Sequence, residues 1–152
     1  MWRNWGDVFV HKRLCLLVAS VGLFGSAALA PALADVRVRI DKSAQTMTVA
    51  VDGYVQHVWP VSTAKRGYYT PTGRFGAHRL EASWYSRKYD NAPMPHSIFF
   101  RGGYAIHGTT HVRELGRPAS RGCVRLHPGH ARVLFGLVRS HGMRSTRILI
   151  TN

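Results

Sequence analysis

Apolar and polar positions alternate from the start of the globular part of the chain. In VRVRI (36–40), Val36, Val38 and Ile40 are separated by Arg37 and Arg39, the period of a strand with one buried face. QTMTVAV (45–51) repeats the pattern with Met47, Val49 and Val51 on one side. Asp52-Gly53 then leads into YVQHVW (54–59). An Asp-Gly pair between two β-rich runs predicts a hairpin, and Pro60 predicts a strand end or an edge. Residues 61–76, rich in Gly, Thr and Pro, read as turns joining short strands. Trp84, Tyr85 and Tyr89 with Pro93 and Pro95 read as an ordered loop. SIFFRGGYAIHG (97–108) returns to strand character, with a turn or bulge at Gly102-Gly103.

The period changes once. From Pro128 to His141 the apolar positions Ala131, Leu134, Leu137 and Val138 follow helical spacing, with Val133 and Phe135 widening the face. Pro128 suits the first helical position and Gly142 the residue just past the last. TRILIT (146–151) reads as a closing strand. One mainly β domain carrying one helix is expected, with no internal repeat or low-complexity linker.

The first 34 residues stand apart. Arg3, Lys12 and Arg13 precede the apolar run LCLLVASVGLFGSAALAPALA (14–34), which ends in Ala-Leu-Ala before Asp35. A positive start, an apolar middle and an A-x-A ending predict a secretory signal over 1–34, cut before Asp35. The alternative is a membrane anchor, since 21 residues are enough to span a bilayer. Pro31 and the alanines suit a cleavage region better. Residues 35–152 then form a single domain, large enough to bury its own core.

Charge narrows the surroundings. The chain carries +14, and residues 1–34 hold three basic residues and one acid, which leaves +12 on residues 35–152. An exported protein so basic suits an anionic environment such as a cell wall or membrane surface. Export makes nucleic acid a poor partner, although charge alone would allow it.

Removing the signal leaves Cys123 as the single cysteine, in SRGCVRLHPG (120–129). An intramolecular disulfide is then excluded, leaving intermolecular pairing or a free, reactive thiol. The flanking Ser120, Arg121, Gly122 and Arg125 argue against an apolar packing site. Gly122 permits a bend that exposes backbone N–H groups, which can polarise a carbonyl oxygen. A thiol nucleophile needs a base, and eight histidines remain, at 57, 78, 96, 107, 111, 127, 130 and 141. His107 is the best candidate, because it ends the apolar strand Tyr104-Ala105-Ile106 and enters a Gly-Thr-Thr turn. His111, His127 and His130 are its rivals. A zinc reading of His107-x3-His111 with Cys123-x3-His127 competes. It lacks the paired cysteines of a structural site, and the Gly-rich context does not put His107 and His111 on one helical face.

Together, IHGT (106–109), Leu115-Gly116 and SRGCVRL (120–126) resemble the catalytic signature of the L,D-transpeptidases, the YkuD-type domain. PVSTA (60–64), TPTGRF (70–75) and MPHSIFF (94–100) resemble family segments in the same order. The resemblance covers roughly residues 36–151. It implies a β-sandwich or barrel-like fold, Cys123 as nucleophile, His107 as base and the Gly108 carbonyl as the group orienting His107. It further implies oxyanion N–H groups from Gly122 and Cys123, substrate contacts around Thr109, Ser120 and Arg121, and Arg125 ordering the site or holding a carboxylate. The implied reaction is attack on a peptidoglycan tetrapeptide stem, release of D-Ala, and resolution of the thioester by a second stem to give a 3→3 cross-link. No metal or organic cofactor is implied, and carbapenems are expected to acylate Cys123. Many members carry His where this chain has Arg121; arginine cannot serve as a base near neutral pH, which strengthens the assignment to His107. Water as acceptor would make the protein an L,D-carboxypeptidase, and a lysine of a wall-anchored protein would make it a lipoprotein-attaching enzyme. A non-catalytic basic wall-binding protein is the reading from another class. An intact Cys–His pair speaks against it.

Overall fold

The computed structural model describes residues 35–152; the signal or anchor expected at 1–34 lies outside the described residues. Among the described residues, eleven strands and one α-helix follow in chain order. The first five strands are β1 (Val36–Asp41), β2 (Thr46–Val51), β3 (Tyr54–Pro60), β4 (Gly73–Gly76) and β5 (Arg79–Glu81). Next come β6 (Tyr85–Ser86), β7 (Ala92–Pro93), β8 (Ser97–Arg101), β9 (Tyr104–Gly108) and β10 (Val124–Leu126). The helix α1 (Pro128–His141) and β11 (Thr146–Thr151) close the chain.

Two open sheets carry the fold, ordered β3-β2-β1-β11-β4 and β10-β9-β8-β5, with β6 and β7 as a separate two-stranded ribbon. Neither sheet closes into a barrel, so of the two expected architectures the sandwich holds. The alternating runs become the strands they predict: Val36, Val38, Ile40, Met47, Val49 and Val51 are all buried, while Arg37 and Arg39 face solvent. Asp52 and Gly53 both take positive φ, 52° and 84°, the primed turn that fits a two-residue hairpin. The two ends of the domain meet in the middle of the larger sheet, where β1 pairs in parallel with β11 from Val36–Thr146 to Asp41–Thr151.

The helix has the bounds its periodicity predicts. Pro128 occupies its first turn, and the His127 side chain accepts from the Gly129 N–H as the cap. Its buried face of Ala131, Leu134, Phe135 and Val138 joins one core with the inner faces of both sheets. Within that core Ile106, Val124 and Leu126 come from β9 and β10. Alternation sends their neighbours Ala105, His107 and Arg125 to the other side of the same sheet. That second face is where the chemistry lies.

Candidate active site

β9 and β10 run parallel, with Val124 beside Ile106 and Arg125 beside His107. Directly paired residues point to the same side, so Arg125 and His107 share a face. Cys123, two positions before Arg125, opens onto the same cleft, and all three side chains line it. The cleft is about 1190 Å³. Met94 and Phe99 line it and with the buried Ala105 form an apolar cluster, against which Trp84 and the half-buried Cys123 pack.

His107 is 6% exposed, and its Nδ1 lies 2.7 Å from the Gly108 carbonyl oxygen. A carbonyl only accepts, so Nδ1 carries the proton and Nε2 keeps its lone pair. Burial lowers the imidazole's pKa to about 4; the Gly108 hydrogen bond works against this and the Arg125 charge works with it. Cys123 is raised above its ordinary value, chiefly by burial, with the Ala105 backbone and the Arg125 charge pulling the other way. Its Sγ sits 3.9 Å from the Gly103 carbonyl oxygen, a loose contact. At neutral pH the resting pair is therefore thiol and neutral imidazole, not thiolate and imidazolium.

The loop before Cys123 is held from several directions. Ser120 is buried; its Oγ accepts from the Gly122 N–H at 3.0 Å and donates to the Cys123 carbonyl at 2.6 Å. Thr70 Oγ1 donates to the Gly122 carbonyl at 2.7 Å and accepts from the Ala64 N–H. Residue 122 must be glycine: its φ is 135°, and a Cβ there would lie 2.9 Å from Tyr104 Cε1 and 3.1 Å from the Tyr69 carbonyl oxygen. The Gly122 N–H, expected as an oxyanion donor, bonds Ser120 Oγ in this structure. The bend places the glycine but occupies its amide.

Other expected site residues fall nearby. Gly108 donates its N–H to the Pro95 carbonyl, and the buried Thr109 donates its own to the Leu126 carbonyl, both at close range. Arg125 is clamped through its backbone to Ser62 and pairs with Glu114 Oε2 at 2.9 Å. Arg121 sets its guanidinium 5.1 Å from the Tyr89 ring centroid. Of the rival histidines, His111 also lines the cleft, whereas His127 and His130 lie ring against tilted ring at the helix start, with His130 stacked on Trp59. Among the described residues no three His, Cys, Asp or Glu side chains converge as a metal site would require. Sequence reasoning missed Glu114, Thr70 and Ser62; Thr70 and Ser62 lie in the quoted segments TPTGRF and PVSTA.

The family model of the YkuD L,D-transpeptidase catalytic domain matches residues 35–150. This chain belongs to the L,D-transpeptidase catalytic-domain family. YqjB of Bacillus subtilis (strain 168), which bears the L,D-transpeptidase name, is 29% identical over 135 residues, covering 80% of this chain and 74% of that protein. A solved L,D-transpeptidase from Mycobacterium smegmatis superposes with a TM-score of 0.70 at 27% identity, over 78% of this chain and 59% of its own. One from Stackebrandtia nassauensis gives 0.68 at 26%, over 78% and 56%. This chain thus spans less than two thirds of the length of these solved L,D-transpeptidases.

Proposed function

We propose that the protein is an exported L,D-transpeptidase acting on peptidoglycan stems, with Cys123 as nucleophile and His107 as base. The placement of His107 at the end of β9 and Cys123 just before the adjacent β10, both lining one cleft, with the His107 tautomer fixed by Gly108, carries this reading. Residues 1–34 serve as the cleaved secretory signal, and the domain works outside the cytoplasm.

In the first step Nε2 of His107 takes the thiol proton as Sγ attacks the carbonyl of the third stem residue. The carbonyl electrons move to oxygen, where the Cys123 N–H donates to the oxyanion. Collapse breaks the C–N bond, and His107 returns the proton to the leaving D-Ala amine. A thioester on Cys123 remains. An acceptor amine from a second stem then attacks it, His107 taking the amine proton and giving one to Sγ, which leaves a 3→3 cross-link and a free thiol. A cleft of about 1190 Å³ is large enough to take a peptide stem.

The test is incubation with purified disaccharide-tetrapeptide and mass spectrometry of the products. Cross-linked dimer with released D-Ala is expected. Tripeptide alone would make the enzyme a carboxypeptidase, and transfer to a lysine of a wall-anchored protein would make it an attaching enzyme. Cys123→Ala should lose all turnover, and intact mass after carbapenem treatment should show one adduct on wild type and none on that variant. Cross-linking by Cys123→Ala would end the proposal.

A further inference from the structure

We infer that Arg121 is a specificity-determining residue that selects donor stems bearing free carboxylates over the same stems carrying carboxamides. The inference rests on the transpeptidase reading and names the substrate class of the same cleft.

The charge of the cleft is one-sided. Six cationic side chains line it, namely Lys65, Arg79, Arg87, Lys88, Arg121 and Arg125, against one acid, Glu114. That acid is already committed to Arg125 at 2.9 Å. Arg79 has Glu81 at 3.9 Å and lies over the Phe99 ring. Among the described residues, no carboxylate pairs with Lys65, Arg87, Lys88 or Arg121. A carboxylate on a bound molecule would find these cations without a protein partner.

Arg121 is the best placed of the four. It stands two residues before Cys123, separated only by Gly122. Its guanidinium lies over Tyr89, in the short turn Arg87–Tyr89 between β6 and β7, while Lys88 Nζ sits 5.6 Å from the centroid of the same ring. The Arg121 guanidinium makes no hydrogen bond or ion pair to a described residue, so its N–H fork is open to grip a carboxylate through two parallel hydrogen bonds. A carboxamide offers one acceptor oxygen and no charge, so it loses both the second bond and the attraction.

The experiment uses two disaccharide-tetrapeptide donors, identical except that the non-terminal stem carboxylates are free in one and carboxamides in the other. Wild type should favour the free-carboxylate donor about tenfold in kcat/KM, carried mainly by KM, because Arg121 is exposed and screened by salt. Arg121→Gln should bring that ratio toward one, and Arg121→Lys should restore part of it, since the charge returns without the fork. Equal use of both donors by wild type would overturn the inference and leave the transpeptidase reading intact. An unchanged preference in Arg121→Gln would equally overturn the role given to this residue. If neither donor acylates Cys123, the transpeptidase reading itself fails.

Discussion

Replacing His107 by glutamine should flatten the dependence of stability on pH. In the folded protein His107 is buried and its pKa stands at about 4, against 6.5 for an ordinary histidine. Between those values the unfolded chain binds a proton that the folded chain refuses. Stability from this residue is therefore complete above pH 6.5 and is lost progressively as pH falls toward 4. The gap of some 2.5 units, at 1.36 kcal/mol per unit, is worth about 3 kcal/mol. Only six carboxylate side chains lie beyond residue 34, so fewer acidic groups than usual compete in this window. His130 is also lowered, by burial and by the neighbouring His127 and His57 charges, and shifts stability in the same direction. The difference between the two proteins removes that contribution. Guanidinium unfolding followed by circular dichroism from pH 4 to 7.5 measures it. Wild type should lose about 3 kcal/mol more than His107→Gln on going to pH 4. Parallel curves would refute the claim that His107 is held neutral, whatever the overall cost of the substitution.

Three further outcomes are expected. Gly122→Ala forces a side chain into φ 135° and against Tyr104, so it should lose roughly 1–3 kcal/mol and slow acylation of Cys123, as read by denaturant titration and intact mass. Leu134→Ala empties a fully buried position on the helix and should cost about 2–5 kcal/mol, while donor turnover well below the melting temperature stays close to wild type. Iodoacetamide should label Cys123 slowly at pH 7 and faster as pH rises past the ordinary thiol range, because burial raises its pKa; a rate plateau already at pH 6 would mean a resting thiolate and contradict the neutral pair.

Long alternating runs were legible because each strand exposes one face: β1, β2 and β11 could be read from Val, Ile and Met spacing alone, and α1 from a change of period. β5 and β10 were not legible. Each has three residues, too few to show a period, and each is extended because β8 or β9 pairs with it. The union of the two ends of the domain through β1 and β11 is likewise a tertiary fact that no local pattern encodes. In the candidate site, Cys123 and His107 stand out because few residue types can do the chemistry proposed for them. Thr70, Ser62 and Glu114 act through hydrogen bonds that many polar residues could make, so their type announces nothing. The occupied amide of Gly122 depends on the turn geometry of Ser120, which a glycine in a sequence cannot reveal.

The core and the cleft are two faces of one short ladder, and this ties folding to chemistry. Ile106, Val124 and Leu126 are each no more than 1% exposed, and they fix the register in which Arg125 lies beside His107. Since side chains alternate every residue, a slip of β10 by one position would turn Val124 and Leu126 toward the cleft and Cys123 and Arg125 into the core. Burying an aliphatic side chain is worth about 1.5–3 kcal/mol, so exposing two of them costs roughly 3–6 kcal/mol before the buried arginine is counted. That difference is comparable with the whole stability of a small domain, usually about 5–15 kcal/mol. The apolar face of β10 thus keeps Cys123 and His107 on one cleft, although none of its residues lines that cleft. A charge introduced at Val124 or Leu126 should therefore abolish folding and acylation together, whereas Arg121→Gln should leave folding intact and weaken use of the free-carboxylate donor.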